Sequence, residues 1–367
     1  MTATTAKAAI SQAPKQNPPF VTLSEIPIRE PTAGEAVIDI LATHIRSYAS
    51  EILDGTRVFP KIFPSVPGTG AVGRIRSIGP GSTVLRPGQL VIFDPTIRAR
   101  DDAVAPAAII SGLLAPGPAG ESLQSVWLNG SWAEKMVAPV ENLIPVPPSV
   151  EAKVGISALS NIAGYAIVYG GLRDSGLRAG HTIAITGSTG PFGGSAVAIA
   201  LAMGARRVIA SGRNLQVLES YVAKFGPRVY PVVATGDEAK DTANFQKAVG
   251  EGFHLDVTFD MLPETAPFST ARAAISALKF GGTAILMGGE HDSVELPYRQ
   301  MTGKNLTVKG VFMNPLVANV EILGMIDAGL LDPTLLTCKE FKLEQVEEAV
   351  QWAKTHAGPF DMTVLKP

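Results

Sequence analysis

The chain has 367 residues, 46% of them hydrophobic and 17% charged, with 37 glycines, 28 prolines and a formal net charge of −2. This composition fits two well-cored, loop-rich globular domains and excludes a disordered chain; with no basic stripe it also argues against a nucleic-acid partner. The single cysteine, Cys338, rules out an internal disulfide framework and a cysteine-rich structural zinc lobe.

The opening stretch, MTATTAKAAISQAPKQNPPF, lacks the apolar core of a secretory signal. No apolar run reaches the roughly 18 residues of a membrane span. The expectation is a cytoplasmic protein with no membrane partner. From Lys7 to about Pro148, alternating runs at 20–28, 35–40, 70–78, 89–93 and 131–138 predict short strands, separated by turns such as Arg86-Pro87-Gly88. Many short strands broken by turns predict a barrel or sandwich. The Ala/Pro/Gly-rich stretch between Asp94 and Asn129 is too long for a hairpin loop and predicts a partly helical excursion.

From about Val150 the pattern changes. A helical segment at 154–170 precedes strand-like runs at Thr182–Thr186, 207–211, 229–234, 255–260, 283–287 and 306–311, with helical stretches between them, of which 271–278 is the clearest. Strands alternating with helices predict an α/β unit with a doubly wound parallel sheet. Amphipathic helices are predicted at 320–328 and 344–354. The domain division expected is 1–150, completed by about 320–367, and 151–319.

The stretch around 181–214 carries the clearest motif. A β-branched strand, Thr182–Thr186, is followed by Gly187-Ser188-Thr189-Gly190-Pro191-Phe192-Gly193, an apolar helix at 196–203 and a second strand at 207–211. Glycines at this spacing let the backbone turn tightly and approach a bound group, and the helix start offers free N–H groups to a pyrophosphate. The motif predicts a dinucleotide site. After the second strand, an NAD site normally offers an Asp or Glu to the ribose 2′-hydroxyl. Here stand Ser211, Gly212, Arg213 and Asn214, with no carboxylate until Glu219. A guanidinium meets a 2′-phosphate bidentately and a small hydroxyl adds a donor, so the cofactor expected is NADPH (NADP+).

Together these features resemble the medium-chain dehydrogenase/reductase superfamily over nearly the full length. Val66-Pro67-Gly68 leading into Gly70-Ala71-Val72-Gly73, and Arg86-Pro87-Gly88-Gln89-Leu90-Val91, resemble its β-rich catalytic domain. The glycine loop, Phe259-Asp260, Gly281-Gly282-Thr283 and Met287-Gly288-Gly289 resemble its nucleotide domain. The resemblance implies a GroES-like domain, a Rossmann domain and a cofactor in the cleft between them, with a homodimer as the default assembly. It further implies cofactor contacts from Asp260, Met261, Gly288, Gly289, Phe312 and Met313.

Zinc-dependent members carry a Cys and then a His–Glu pair. This chain has Arg46 and Gly68-Thr69-Gly70 at the corresponding positions, so it resembles the zinc-independent branch of quinone oxidoreductases and enoyl reductases, with no metal expected. Without a Lewis acid, hydride delivery to a carbonyl needs a donor for the developing oxyanion. Tyr48 is the first candidate, where zinc-dependent members place a hydroxyl. His44, titrating near neutrality, is the second. Arg46 is read as holding a substrate carboxylate or an enolate, or as pairing with a core carboxylate. Phe59 stands where related enoyl reductases carry a Tyr, which removes that donor. The activity expected is NADPH-dependent reduction of a small, apolar conjugated carbonyl compound: a quinone, an enone or an aldehyde. The alternatives are a redox-silent cyclase or isomerase, and a non-catalytic nucleotide-binding scaffold.

Overall fold

The computed structural model describes residues 4–102, 104–289 and 293–367. Residues 1–3 of the opening stretch and Ala103 of the 94–129 excursion lie outside them. The described chain divides into two compact units. One holds the residues up to Ala163 together with Asn319–Ala357 and Asp361–Pro367; the other holds Gly164–Ala318 and Gly358–Phe360. The first unit runs past 150 because the short helix Ile156–Leu159 packs on strands of that unit, and Ser157 Oγ donates to Glu340.

The main sheet of the first unit has the order Thr337–Lys342, Asp361–Lys366, Glu35–Ile45, Ala71–Ile78, Leu90–Phe93, Leu143–Pro145, and Lys135–Pro139 also pairs with Glu35–Ile45. Its first pair is parallel and the others are antiparallel. The expected runs at 20–28, 35–40, 70–78, 89–93 and 131–138 all contribute strands. An unanticipated strand, Thr4–Ile10, pairs antiparallel with Thr22–Ile28. The excursion holds a hairpin, Thr96–Arg98 with Ala108–Ile110, and a helix, Gly117–Val126.

Glu35–Ile45 organises this unit. Its first part pairs with Ala71–Ile78, with register shifts at Val37/Ile38 and Ile40/Ala42; its last residues, Thr43, His44 and Ile45, pair with Asp361–Lys366 instead. Such shifts bend a strand and redirect its side chains. The chain then enters helix α1 (Ala49–Asp54), which ends at Gly55 in the left-handed region, φ 82°. Ile45, Ala49, Leu53, Val66, Trp132 and Phe341 share one apolar cluster, which fixes α1 against the sheet.

The second unit is a six-stranded parallel sheet. In chain order its strands are β1 (Thr182–Thr186), β2 (Arg207–Gly212), β3 (Val229–Val233), β4 (Val257–Asp260), β5 (Thr283–Leu286) and β6 (Thr307–Gly310), arranged β3-β2-β1-β4-β5-β6. This is the Rossmann order, whose direction of winding reverses between β1 and β4. β1 is buried at every position, as a strand covered on both faces must be, which explains its unbroken apolar run. Helix α2 (Pro191–Ala202) follows β1, and helix α3 (Leu215–Phe225) follows β2. α2 starts five residues before the predicted position at 196. Pro191 at its first position is preset for helix, and the glycines that argue against a helix are required there by packing.

The fold is therefore α/β, a Rossmann sheet unit plus a β-rich GroES-like unit. No helix among the described residues is long and apolar enough to cross a membrane.

Candidate functional site

The glycine loop sits at the carboxyl end of β1. Gly187 has φ 68°, and a Cβ there would lie 2.3 Å from the Met261 carbonyl oxygen; a Cβ on Gly193 would lie 2.2 Å from the Gly187 carbonyl oxygen. Both positions are closed to any side chain by the protein's own backbone. Gly190 differs: its φ is −96° and a Cβ would meet only the Gly187 oxygen, at 3.7 Å. As the N-cap of α2 without a side-chain cap, it leaves the first N–H groups of a twelve-residue helix without a side-chain acceptor. Those groups and the positive end of the helix suit a phosphate.

Several predicted contacts have other duties. Ser188 is fully buried; its hydroxyl donates to the Ile185 carbonyl at 2.7 Å and accepts from Ser211 N at 3.2 Å, and its carbonyl accepts from Tyr221. Its side chain ties the loop to β2 and is not offered to a ligand. Ser211, expected to add a donor to a 2′-phosphate, is likewise fully buried, with its hydroxyl below the surface. Asn214 caps α3, accepting from Val217 N at 3.3 Å. Asp260 accepts from Thr186 Oγ1 at 2.6 Å and from Leu262 N, which locks β4 to β1.

The remaining positions keep surface or backbone available. Thr189, Pro191, Phe192 and Met261 are half-buried. Thr189 packs its methyl where a side chain on Gly212 would go, 2.5 Å from that Cβ. Gly288 and Gly289 are hemmed in by backbone, with Leu262 O and Glu264 N at 2.6 and 2.0 Å from their would-be Cβ atoms. Phe312 is 55% exposed, whereas Met313 is buried with a left-handed φ of 56°, a strained value that for a residue other than glycine marks a constrained turn. Arg213 is exposed, and among the described residues it makes no hydrogen bond or ion pair.

The first unit holds a pocket of about 390 Å³ including its mouth, where Glu35–Ile45 runs into α1. His44, Arg46, Tyr48, Lys61 and Thr69 supply polar lining, with Ile52 and Trp132 among the apolar walls. The sequence-predicted trio is thus brought together, and Lys61 joins it. Lys61 went unrecognised because it lies outside any motif, in a proline-flanked loop; an uncompensated lysine among apolar residues was the only available signal. Gly68 lines the same pocket with φ 108°, and a Cβ there would lie 2.4 Å from Trp132 Cδ1.

Burial shapes the charges. His44 is 2% exposed; burial, and then the positive charge of Arg46, hold its pKa well below the usual histidine value. The expectation that His44 titrates near neutrality is therefore corrected: it is neutral at pH 7. Its Nδ1 stands 3.0 Å from the Ser160 carbonyl, which only accepts, so the proton sits there and bare Nε2 faces Thr69 Oγ1 at 3.4 Å. No proton is left for it to give to a substrate. Burial also lowers Arg46 and brings Lys61 down to about 8. Both keep some accessible surface inside the pocket, yet protein atoms crowd their charged ends. Tyr48 is the N-cap residue of α1, and the Arg57 guanidinium lies 4.6 Å from its ring centroid.

The alcohol dehydrogenase GroES-like domain family matches residues 32–148, and the zinc-binding dehydrogenase family matches residues 191–326. The chain belongs to the medium-chain dehydrogenase/reductase superfamily. L-threonine 3-dehydrogenase of Chromobacterium violaceum is 27% identical over 224 residues, 60% of each chain. Acryloyl-coenzyme A reductase of Metallosphaera sedula is 28% identical over 219 residues, 59% of this chain and 62% of that one. The chain thus spans about 60% of the length of these relatives. A solved short chain alcohol dehydrogenase from E. coli CFT073, complexed with NADH, superposes with a TM-score of 0.80 at 19% identity, covering 99% of both chains; at that identity the likeness is one of fold.

Membership of this superfamily raises the question of zinc, which one matching family carries in its name. The donor set does not fit it. Among the described residues no group of three or more His, Cys, Asp or Glu could hold a metal ion. The pocket offers one imidazole with both nitrogens engaged, beside two cations that repel a divalent ion.

Proposed function

We infer that this superfamily member is a zinc-independent, NADPH-dependent reductase of a conjugated carbonyl compound. The observation that carries the cofactor reading is Arg213: an exposed guanidinium that makes no hydrogen bond or ion pair among the described residues, just past the end of β2, with no carboxylate before Glu219. In this sheet order that strand end is where a ribose 2′ substituent lies. The E. coli neighbour holds NADH, so the reading rests on this chain's own residues.

A bound nicotinamide nucleotide supplies the hydride. Backbone N–H groups at the start of α2 hold its pyrophosphate, and Gly190 gives it room. In the first unit, Arg46 and Lys61 stabilise negative charge as it develops on the substrate, in a site where burial strengthens each interaction. Tyr48, whose hydroxyl is the uncharged acid of the lining, gives the proton. A conjugated acceptor spreads its charge and asks less of that acid, which favours quinones, enones and conjugated aldehydes over simple ketones.

The test is titration of the protein with NADPH and NADH, followed by quenching of its three tryptophans, beside Arg213→Ala. Tighter NADPH binding and a roughly 10- to 100-fold loss of NADPH affinity alone in the variant are expected, from the weight of one bidentate charge contact. Equal binding of both nucleotides, or equal loss in the variant, overturns the cofactor reading; no NADPH oxidation with any of a panel of quinones and enones overturns the activity.

A further inference from the structure

Lys61 stands in a loop whose backbone is fixed on both sides of it. Before it, the Pro60 carbonyl accepts from Ala115 N at 2.7 Å. After it, Ile62 N donates to Gln124 Oε1 at 2.7 Å, and the Ile62 carbonyl accepts from Gln124 Nε2 at 3.3 Å. Gln124 is buried on the helix Gly117–Val126, and its amide meets both backbone polar groups of this one residue. The side chain between the two anchors is treated differently. Among the described residues Lys61 makes no hydrogen bond or ion pair; its nitrogen lies 4.8 Å from the Phe63 ring centroid. The residue lines the pocket of about 390 Å³ together with the apolar Ile52, Leu53, Leu113 and Trp132, a space that takes a short hydrocarbon or one aromatic ring. Burial alone brings its pKa down to about 8, so roughly a tenth of it is free amine at pH 7, about 200-fold more than for an ordinary lysine.

We propose that Lys61 Nζ condenses reversibly with a small apolar aldehyde that enters this pocket and holds it as an imine. The free amine adds to the carbonyl carbon, protons pass from nitrogen to oxygen, and water leaves as the C=N bond forms. Nothing is oxidised or reduced, and hydrolysis restores amine and aldehyde. A desolvated lysine beside apolar walls is the form of the residue suited to this step. An aldehyde carbon is less crowded and more electrophilic than a ketone or quinone carbon, so the class of ligand is the aldehyde. Once protonated, the imine keeps the lysine's positive charge and draws electrons from a conjugated double bond. The capture stands on the pocket alone; that the captured aldehyde is the compound reduced rests on the reductase reading.

The experiment treats the full chain at pH 7 with benzaldehyde, hexanal or the polar glyceraldehyde. Cyanoborohydride is present to reduce any imine to a stable secondary amine, and peptide mass spectrometry maps the modified lysines. With benzaldehyde and hexanal, Lys61 is expected to be labelled at least about tenfold faster than any other lysine, given its larger share of free amine. With glyceraldehyde, which the apolar walls do not favour, that preference is expected to be lost. Lys61→Arg keeps the charge and removes the primary amine; it is expected to abolish the fast labelling, as is Lys61→Met, with circular dichroism checking the fold of each. Lys61 labelled no faster than the other lysines, equal selectivity with glyceraldehyde, or undiminished fast labelling in either folded variant each overturns the proposal. NADPH binding, and its oxidation by quinones and enones, are measured in parallel without cyanoborohydride. NADPH oxidation without selective trapping overturns the capture and leaves the reductase reading standing. Selective trapping without any NADPH binding upholds the capture and overturns the reductase reading.

Discussion

The His44 ring and the Ser160 carbonyl are 3.0 Å apart, a contact that fixes the proton on Nδ1 of an imidazole that burial and the Arg46 charge hold neutral. Its stability effect has a definite sign. The folded pKa is depressed, so below the unfolded value of about 6.5 the unfolded chain binds a proton that the folded chain refuses. Stability therefore falls as pH drops through that window. Between pH 7.5 and 5.5 the loss from this one group is on the order of 1 kcal/mol. Urea unfolding of the wild type and of His44→Gln at both pH values measures it: the wild type should lose that much more than the variant. Equal losses would show that His44 protonates in the folded state.

Lys61 gives a pH effect at the other end. Its folded pKa, about 8, is below the free-lysine value, because burial disfavours the ammonium. Between pH 8 and about 10.5 the unfolded chain binds more protons, so the group's stability cost is present at neutral pH and fades as pH rises through that window. Lys61→Met is expected to raise stability at pH 7 by about 1–2 kcal/mol, with the gain shrinking above pH 9. A residue kept at such a cost fits a binding role. Denaturant unfolding at pH 7 and pH 10 checks it; a destabilised variant at pH 7 would mean that Lys61 supports the fold.

Tyr48 is tested by Tyr48→Phe. The ring beneath Arg57 is retained and only the phenolic oxygen goes. If the hydroxyl donates the proton, kcat with an enone should fall about 10²- to 10³-fold with KM nearly unchanged, the usual weight of a general acid. An unchanged kcat assigns the proton to solvent. A changed KM alone makes the ring a wall of the pocket.

The strands and the Rossmann unit were legible because their signals are periodic and local. β1 reads as a strand from five residues, and Gly187 and Gly193 announce a turn that only glycine allows. The start of α2 was not legible: glycines in sequence predict a loop, and only the close contact between Gly193 and the Gly187 carbonyl shows why a helix needs them. Ser188 and Ser211 read as cofactor contacts because a hydroxyl near a glycine loop suits a phosphate. Both are instead buried, and the Ser188 carbonyl accepts from Tyr221, more than thirty residues downstream. Arg46, Tyr48 and His44 could be placed together because one strand and one short helix carry them. Lys61 could not, because a loop returns it to the pocket through long-range packing.

The glycine loop separates folding from binding at single positions. Gly193→Ala forces a Cβ to 2.2 Å from the Gly187 oxygen, a clash with backbone that cannot rotate away. It should cost about 2–4 kcal/mol of stability, in the range of overpacked or strained core sites. Gly190→Ala meets nothing closer than 3.7 Å, and its φ of −96° is open to alanine. The fold should tolerate it within about 0.5 kcal/mol, as for an ordinary surface change. If the space above Gly190 is kept for a pyrophosphate, the same methyl group occupies it, and affinity for NADPH should fall at least tenfold while the melting temperature stays unchanged. Thermal unfolding and nucleotide titration of both variants decide the matter. A Gly190→Ala protein that folds and binds nucleotide like the wild type would remove the start of α2 from the cofactor site.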